Sequence, residues 1–207
     1  MSNQTEYEFR PAINKHFIRF FYDIYCSLGN LGKNFKRKVV ALAKIKDGEC
    51  VVDLGCGTGV LLSQISIKYP DTKLIGIDPD ELVLSIARRR LEKMGAQVEF
   101  LQDYAEKLSL QNSFADVVIS TLVFHHMPND IKQKASSEIY RILKPGGRAI
   151  VADFGPGRIS PYLFEKREYM EGNVKGLVPV FLKEAGFREV TVVGKHFPGV
   201  SIIEARK

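Results

Sequence analysis

Cys50-Val51-Val52-Asp53-Leu54-Gly55-Cys56-Gly57-Thr58-Gly59 is the stretch that decides how the rest of the chain is read. Small and β-branched apolar residues run into an acid, and glycines at alternate positions then lead into a helix-like run, Val60 to Lys68. A buried strand turning sharply into a helix has this form. Glycine lacks the Cβ that would bar the turn and hold a ligand away from main-chain amides. Asp53 falls at the carboxyl end of the strand, where open α/β sheets bind their ligands.

Downstream, strands and helices alternate. After the Pro70-Asp71 break, Lys73 to Ile77 reads as a second buried strand ending at Asp78. Asp78 stands nineteen positions past Gly59, a spacing at which a second carboxylate can accept both hydroxyls of a ribose resting on the glycine turn. Asp80 to Met94 is expected as a helix, Gln97 to Leu101 as a third strand ending near Asp103, and Phe114 to Thr121 as a central strand covered on both faces. Asn129 to Leu143 reads as a helix with Asn129 or Asp130 near its cap and Lys144-Pro145-Gly146-Gly147 as its stop. Arg148 to Phe154 follows as a fifth strand carrying Asp153 at its carboxyl end. Gly155 to Gly172, rich in Gly, Pro and charge, is expected as an irregular insertion that shapes a substrate site. Gly176 to Ala185 reads as the last helix, and Phe187 to Val193 with Val200 to Ala205 as an antiparallel hairpin. The sum is a single α/β domain with a doubly wound, mostly parallel sheet.

Ahead of the glycine turn, Phe17, Phe20, Phe21, Ile24, Tyr25 and Leu28 recur at helical intervals, and Lys33 to Ile45 reads as a second helix. Residues 1–45 are therefore expected as an N-terminal helical lid over a domain spanning 46–207. The lysines and arginines of 33–46 and of 88–90 read as solvated helix faces.

Composition excludes several classes. With 207 residues, 45% hydrophobic and 26% charged, the chain suits an ordinary globular domain rather than a disordered or collagen-like one. No apolar run approaches the roughly 20 residues of a membrane span, and no signal-like apolar core stands near Glu6, Glu8 and Arg10, so a cytoplasmic protein is expected. Cys26, Cys50 and Cys56 form no Cys-x-x-Cys pair, which implies reduced thiols and no metal site. The net charge of +6 is local, and without a basic domain nucleic acid is not an expected partner.

The glycine pattern alone leaves the ligand open. A dinucleotide fingerprint would need its third glycine where Val60 stands, and no phosphate-binding Gly-x-x-x-x-Gly-Lys-Ser/Thr loop is present. A carboxylate at Asp53 would repel a phosphate and suit a ligand with an ammonium group. An NAD(P)-dependent oxidoreductase on a similar sheet remains the alternative, as does a non-catalytic relative.

Val-Val-Asp-Leu-Gly-Cys-Gly-Thr-Gly at 51–59, Ile-Gly-Ile-Asp at 75–78, Gln-Asp-Tyr-Ala-Glu at 102–106, Phe-Ala-Asp-Val-Val-Ile-Ser at 114–120 and Leu-Lys-Pro-Gly-Gly at 143–147 resemble, in order and spacing, the motifs of class I S-adenosylmethionine-dependent methyltransferases. The resemblance implies a Rossmann-like seven-stranded sheet with S-adenosyl-L-methionine as cofactor. It implies that Asp53 and the backbone of Gly55, Cys56, Gly57 and Gly59 hold the methionine part, with Asp78 and Pro79 at the ribose. Asp103 and Tyr104 would hold the adenine, and Thr121 would border the sulfonium.

Methyl transfer from a sulfonium gains most from holding nucleophile and methyl carbon together in a dry pocket, and a base is needed only where the acceptor must lose a proton. His125 and His126, following the fourth strand, are the candidate bases, with Tyr22, Tyr25, Asp153 and Tyr162 as alternatives. Phe21 to Gly29 followed by Lys36-Arg37-Lys38 resembles the equivalent part of the ubiquinone and menaquinone biosynthesis C-methyltransferases. That branch implies a small-molecule methyl acceptor, an apolar prenylated ring carbon, and a basic patch suited to weak membrane-surface association. The chain carries no signal for oligomeric state.

Overall fold

The computed structural model describes residues 31–156, 167–196 and 199–207. The aromatic segment Phe17 to Leu28, with Tyr22 and Tyr25, lies outside them, as does Tyr162.

Strand β1 (Cys50–Leu54) is buried along its whole length, and its side chains alternate between two cores. Val51 packs with one apolar cluster and Val52 with the other, so the strand needs cover on both faces, as its continuous apolar character demands. Beside it lie β2 (Lys73–Ile77) and β4 (Ala115–Thr121), both parallel to it. With β3 (Val98–Leu101), β5 (Leu143–Phe154), β6 (Glu189–His196) and β7 (Val200–Arg206), they form a seven-stranded sheet of order β3-β2-β1-β4-β5-β7-β6. Strand β7 runs antiparallel to both β5 and β6. The mostly parallel sheet with a reversed C-terminal strand is the expected one.

One face is covered by α1 (Lys33–Ala43), α2 (Val60–Lys68) and α3 (Glu81–Lys93) through Phe35, Val39, Leu61, Ile65, Leu84 and Leu91. The other is covered by α4 (Asn129–Ile142) and α6 (Val178–Glu184) through Ile131, Ile139, Val178 and Leu182. Helix α3 starts on a side-chain cap, Asp80 accepting from the backbone N–H of Leu82 at 3.0 Å.

Several boundaries differ from the sequence expectation. Asn129 and Asp130 stand near the cap of α4 as expected, in its first turn, while the cap position itself is Pro128 with no side-chain bond. Leu143 already belongs to β5, paired with Ala115, and Lys144 to Gly147 form an irregular excursion before pairing resumes at Arg148. The insertion Gly155 to Gly172 is not irregular throughout, since helix α5 (Arg167–Val174) begins inside it. The last helix begins at Val178 rather than Gly176, with Pro179 in its first turn. Strand β6 is shifted towards the C-terminus: Phe187 is buried in the core ahead of it, and pairing continues past Val193 to His196 after a register shift between Val192 and Gly194.

Candidate functional site

At the carboxyl end of β1 the chain turns back on the neighbouring strand. The N–H groups of Gly55 and Cys56 both donate to the carbonyl of Ile77, at 2.7 and 2.9 Å, and Gly55 and Gly57 take left-handed φ of 74° and 53°. A Cβ on Gly55 would stand 2.2 Å from Cγ2 of Val123, whereas one on Gly57 would meet nothing within 4 Å. The first glycine thus permits close packing, and the second leaves bare backbone facing open space. Arg90 braces the turn from α3 by donating to the carbonyl and hydroxyl oxygens of Thr58.

Asp53 lies under this turn, 1% exposed, and neither of its carboxyl oxygens has a hydrogen-bond partner. Burial pushes its pKa up to about 7; the positive charge of Lys36 opposes that rise and the carboxylate of Asp78 adds to it. Asp78, at the end of β2, accepts from the N–H of Gly57 and of Asp80, each at 3.0 Å. Burial pushes it up to about 6 against those two bonds. Two acids that ionise near neutrality therefore stand beside exposed backbone. Thr121, the last residue of β4, is buried and accepts a hydrogen bond from the ammonium of Lys36 on α1.

The expected adenine residues lie one strand further out. An oxygen of Asp103 accepts from both the N–H and the hydroxyl of Ser109, at 2.8 and 2.6 Å, and so closes its own loop. Tyr104 is exposed, and the carbonyl of Pro79 accepts from the amide of Gln102 at 3.1 Å. Arg141 of α4 fixes the far end of this loop through the carbonyls of Leu108 and Leu110.

Beyond β4, Leu122 holds a left-handed φ of 61° and its N–H bonds the carbonyl of Ala152. A leucine rarely takes that conformation, which re-aims the chain into the short 3₁₀ turn Phe124–His126. His125 is buried there, its Nδ1 2.9 Å from Oδ1 of Asp153. The same oxygen accepts from the N–H of Phe154 at 2.7 Å and from the side-chain amide of Asn173 at 3.2 Å. The other oxygen of Asp153 and the amide oxygen of Asn173 are buried without partners. The ring of His126 lies 3.9 Å from that of His125, centroid to centroid, tilted by 40°. Lys132, fully buried, donates to the carbonyl of Tyr169 at 2.5 Å, and burial pushes its pKa down to about 8 against the pull of Asp153.

Asp53, Gly55, Cys56, Gly57, Gly59, Asp78 and Thr121 therefore converge at the ends of the adjacent strands β2, β1 and β4. Lys132 and Asn173 join the site without having been singled out in the sequence, and Lys36, read there only as part of a basic patch, joins it too. Among the described residues, no cluster of three or more His, Cys, Asp or Glu is placed to hold a metal. Among them also, no helix is long and apolar enough to cross a membrane.

A methyltransferase domain model matches residues 51–147. Residues 51–147 thus carry a methyltransferase domain. It is 34% identical to the demethylmenaquinone methyltransferase of Thermus thermophilus over 137 residues, 65% of this chain and 61% of that protein. Identity to the ubiquinone/menaquinone biosynthesis C-methyltransferase UbiE of Escherichia fergusonii is 30% over 151 residues, 70% of this chain and 59% of the relative. The chain thus spans about three fifths of the length of these curated relatives. Among solved structures, Haemonchus contortus phosphoethanolamine N-methyltransferase 2, in complex with phosphomonomethylethanolamine and S-adenosylhomocysteine, superposes with a TM-score of 0.71 at 25% identity. The match covers 84% of this chain and 42% of that one.

Proposed function

We propose that this methyltransferase domain binds S-adenosyl-L-methionine and transfers its methyl group to a small-molecule acceptor. The observation that carries the reading is Asp53: a buried carboxylate with both oxygens unpartnered, beneath bare backbone, fits a ligand that brings an ammonium group. Asp53 and the backbone of Gly55, Cys56, Gly57 and Gly59 would hold the methionine part. Asp78 and Pro79 would face the ribose, Asp103 and Tyr104 the adenine, and Thr121 the sulfonium. A pyrophosphate in the same place would meet two carboxylates, which disfavours the nicotinamide alternative.

The bound cofactor supplies an electrophilic methyl carbon. The protein's part is to exclude water and to manage the acceptor's proton. Asp153 accepts the Nδ1 proton of His125, which leaves the Nε2 lone pair to accept a proton from an acceptor. The unpartnered oxygens of Asp153 and Asn173 suit an acceptor that donates hydrogen bonds beside that base. With relatives named for quinone C-methylation, a hydroxylated, apolar or prenylated ring is the preferred acceptor class, and the basic face of α1 suits weak contact with an anionic membrane surface. Calorimetry with S-adenosylhomocysteine, followed by transfer of labelled methyl to a panel of hydroxylated rings, phenols and amines, tests this. No binding of the cofactor or its demethylated product would sink the reading, and binding without turnover on any acceptor would favour the non-catalytic alternative.

A further inference from the structure

Lys132 is a buried charge to which the proposed methyl transfer gives no part. It sits one turn into α4, fully buried, while its neighbours Gln133 and Lys134 are exposed. An ammonium taken wholly out of water persists only where other groups replace that water. Here Nζ donates to the carbonyl of Tyr169 at 2.5 Å and to Oδ1 of Asn129 at 3.3 Å. The Tyr169 carbonyl is the one that an α-helix aims at the N–H four residues on, that of Asn173. The ammonium therefore lies beside the residue whose side chain holds Asp153, since the amide of Asn173 donates to Oδ1 of Asp153 at 3.2 Å and to the carbonyl of Phe154 at 3.0 Å.

Asp153 is 2% exposed, and one of its oxygens takes every bond while the other takes none. A buried carboxylate needs a countercharge, and this one has two candidates: an imidazolium at His125 or the ammonium of Lys132. They are not equivalent for the chemistry. A carboxylate alone with His125 draws a second proton onto the ring, and an imidazolium has no lone pair to offer an acceptor. With an ammonium already balancing Asp153, the ring stays neutral, its Nδ1 proton on the carboxylate and its Nε2 free. Burial pushes the pKa of Lys132 down to about 8 while the charge of Asp153 opposes the fall, so the ammonium form prevails at neutral pH. Of the other titratable groups described on these elements, His126 lies against His125, Asp130 and Lys134 of α4 are exposed, Tyr169 of α5 is half-buried, and Glu171 and Lys175 of α5 pair with each other at the surface.

We propose that Lys132 is a positioning residue, the fixed countercharge of Asp153 that keeps His125 neutral and able to take a proton; the role rests on the proton-handling reading above. Titration of the histidine rings by NMR on the full chain, for wild type, Lys132→Met and Lys132→Arg, reads it without cofactor or acceptor, with His125→Gln to assign the signal among the 4 histidines. In Lys132→Met the His125 ring should protonate about one pH unit higher than in wild type, roughly what a unit charge about 10 Å away contributes at an effective dielectric of about 20. Lys132→Arg should restore the wild-type midpoint. An unchanged midpoint in Lys132→Met, or a shift that arginine does not reverse, overturns the proposal, the second because it marks a packing change in α5. If the methionine variant does not fold, Asp153→Asn decides from the other side: the labelled side chain of Lys132 should lose its proton at lower pH than the wild-type value of about 8, and an unaltered lysine overturns the pairing. Absence of S-adenosylhomocysteine binding or of any methyl transfer would instead sink the reaction proposed above, a separate result because these titrations use neither ligand.

Discussion

Replacing Asp53 with asparagine should make the ligand-free protein more stable while removing its affinity for the cofactor. The carboxyl group ionises at 3.8 when free and near 7 in the fold, with burial as the main cause. Between those values the native state holds a proton that the unfolded chain has released. Stability therefore falls as pH rises from about 4 to about 7 and is level above that, the reverse of an ordinary salt-bridged aspartate. A rise of roughly three units at about 1.4 kcal/mol each makes about 4 kcal/mol, a ceiling because the asparagine amide must also be buried. For a chain of this size that corresponds to at most roughly 8–16 °C in Tm. Urea denaturation of both proteins from pH 5 to pH 8.5 reads the effect, and Asp53→Asn should gain over wild type with each pH unit until about pH 7, then hold steady. S-adenosylhomocysteine should stabilise wild type and leave the variant unchanged. A gain that does not vary with pH, or a variant less stable than wild type at pH 8, would refute the reasoning.

The same two acids predict the pH dependence of binding: an ammonium favours ionised Asp53, so affinity for S-adenosylhomocysteine should climb from pH 5.5 to about 7.5, with protons released at pH 6.5. Calorimetry in two buffers of different ionisation enthalpy measures that release, and a flat profile would contradict the assignment. At the turn, Gly55→Ala places a Cβ 2.2 Å from Val123 at a left-handed φ and should cost about 3 kcal/mol of stability. Gly57→Ala meets no protein atom, so it should cost about 1 kcal/mol and instead weaken ligand binding; thermal melts with and without ligand separate the two. For an acceptor that must lose a proton, His125→Gln should lower kcat by about 10²–10⁴ while S-adenosylhomocysteine affinity holds, and turnover within threefold of wild type would remove His125 from the base role.

How far the sequence carries can be judged from individual segments. Strand β1 and its turn are legible because continuous apolar character and alternate glycines leave few other folds, and because an acid at a strand end has one place to go. Asp53 and Asp78 could be placed together for that reason. Helix α5, Arg-Glu-Tyr-Met-Glu-Gly-Asn-Val, has a weak apolar period and an internal glycine, and forms nonetheless. The reason lies outside it: the carbonyl of Tyr169 takes the buried ammonium of Lys132, and Gly172 lets the side chain of Asn129 lie close against the helix. Phe187 read as strand because it is apolar, yet it serves the core by packing edge-on to Tyr140 before β6 begins.

The two halves of the site differ in the same way, and the difference has a physical origin. The proposed cofactor side is made from strand ends and the backbone that follows them, so position along the chain nearly determines position in space. The proposed proton-handling side joins His125 after β4, Lys132 from α4, Asp153 from β5 and Asn173 from α5, four segments with no shared period. His125 and Asp153 can be picked from the sequence as strand-end candidates, but no spacing rule joins them to Lys132 and Asn173, which alone read as ordinary polar residues. Burial makes the set chemical rather than ornamental: a lysine pushed down to about 8 and a carboxylate oxygen without a partner persist only where the surrounding packing holds them. Lys36 makes the same point on the cofactor side, since its neighbours Arg37 and Lys38 are exposed and only the seating of α1 distinguishes it. Acceptor choice in this protein should therefore change with substitutions at His125, Asp153 and Asn173 while cofactor affinity stays constant, because the two sets share no hydrogen bond among the described residues.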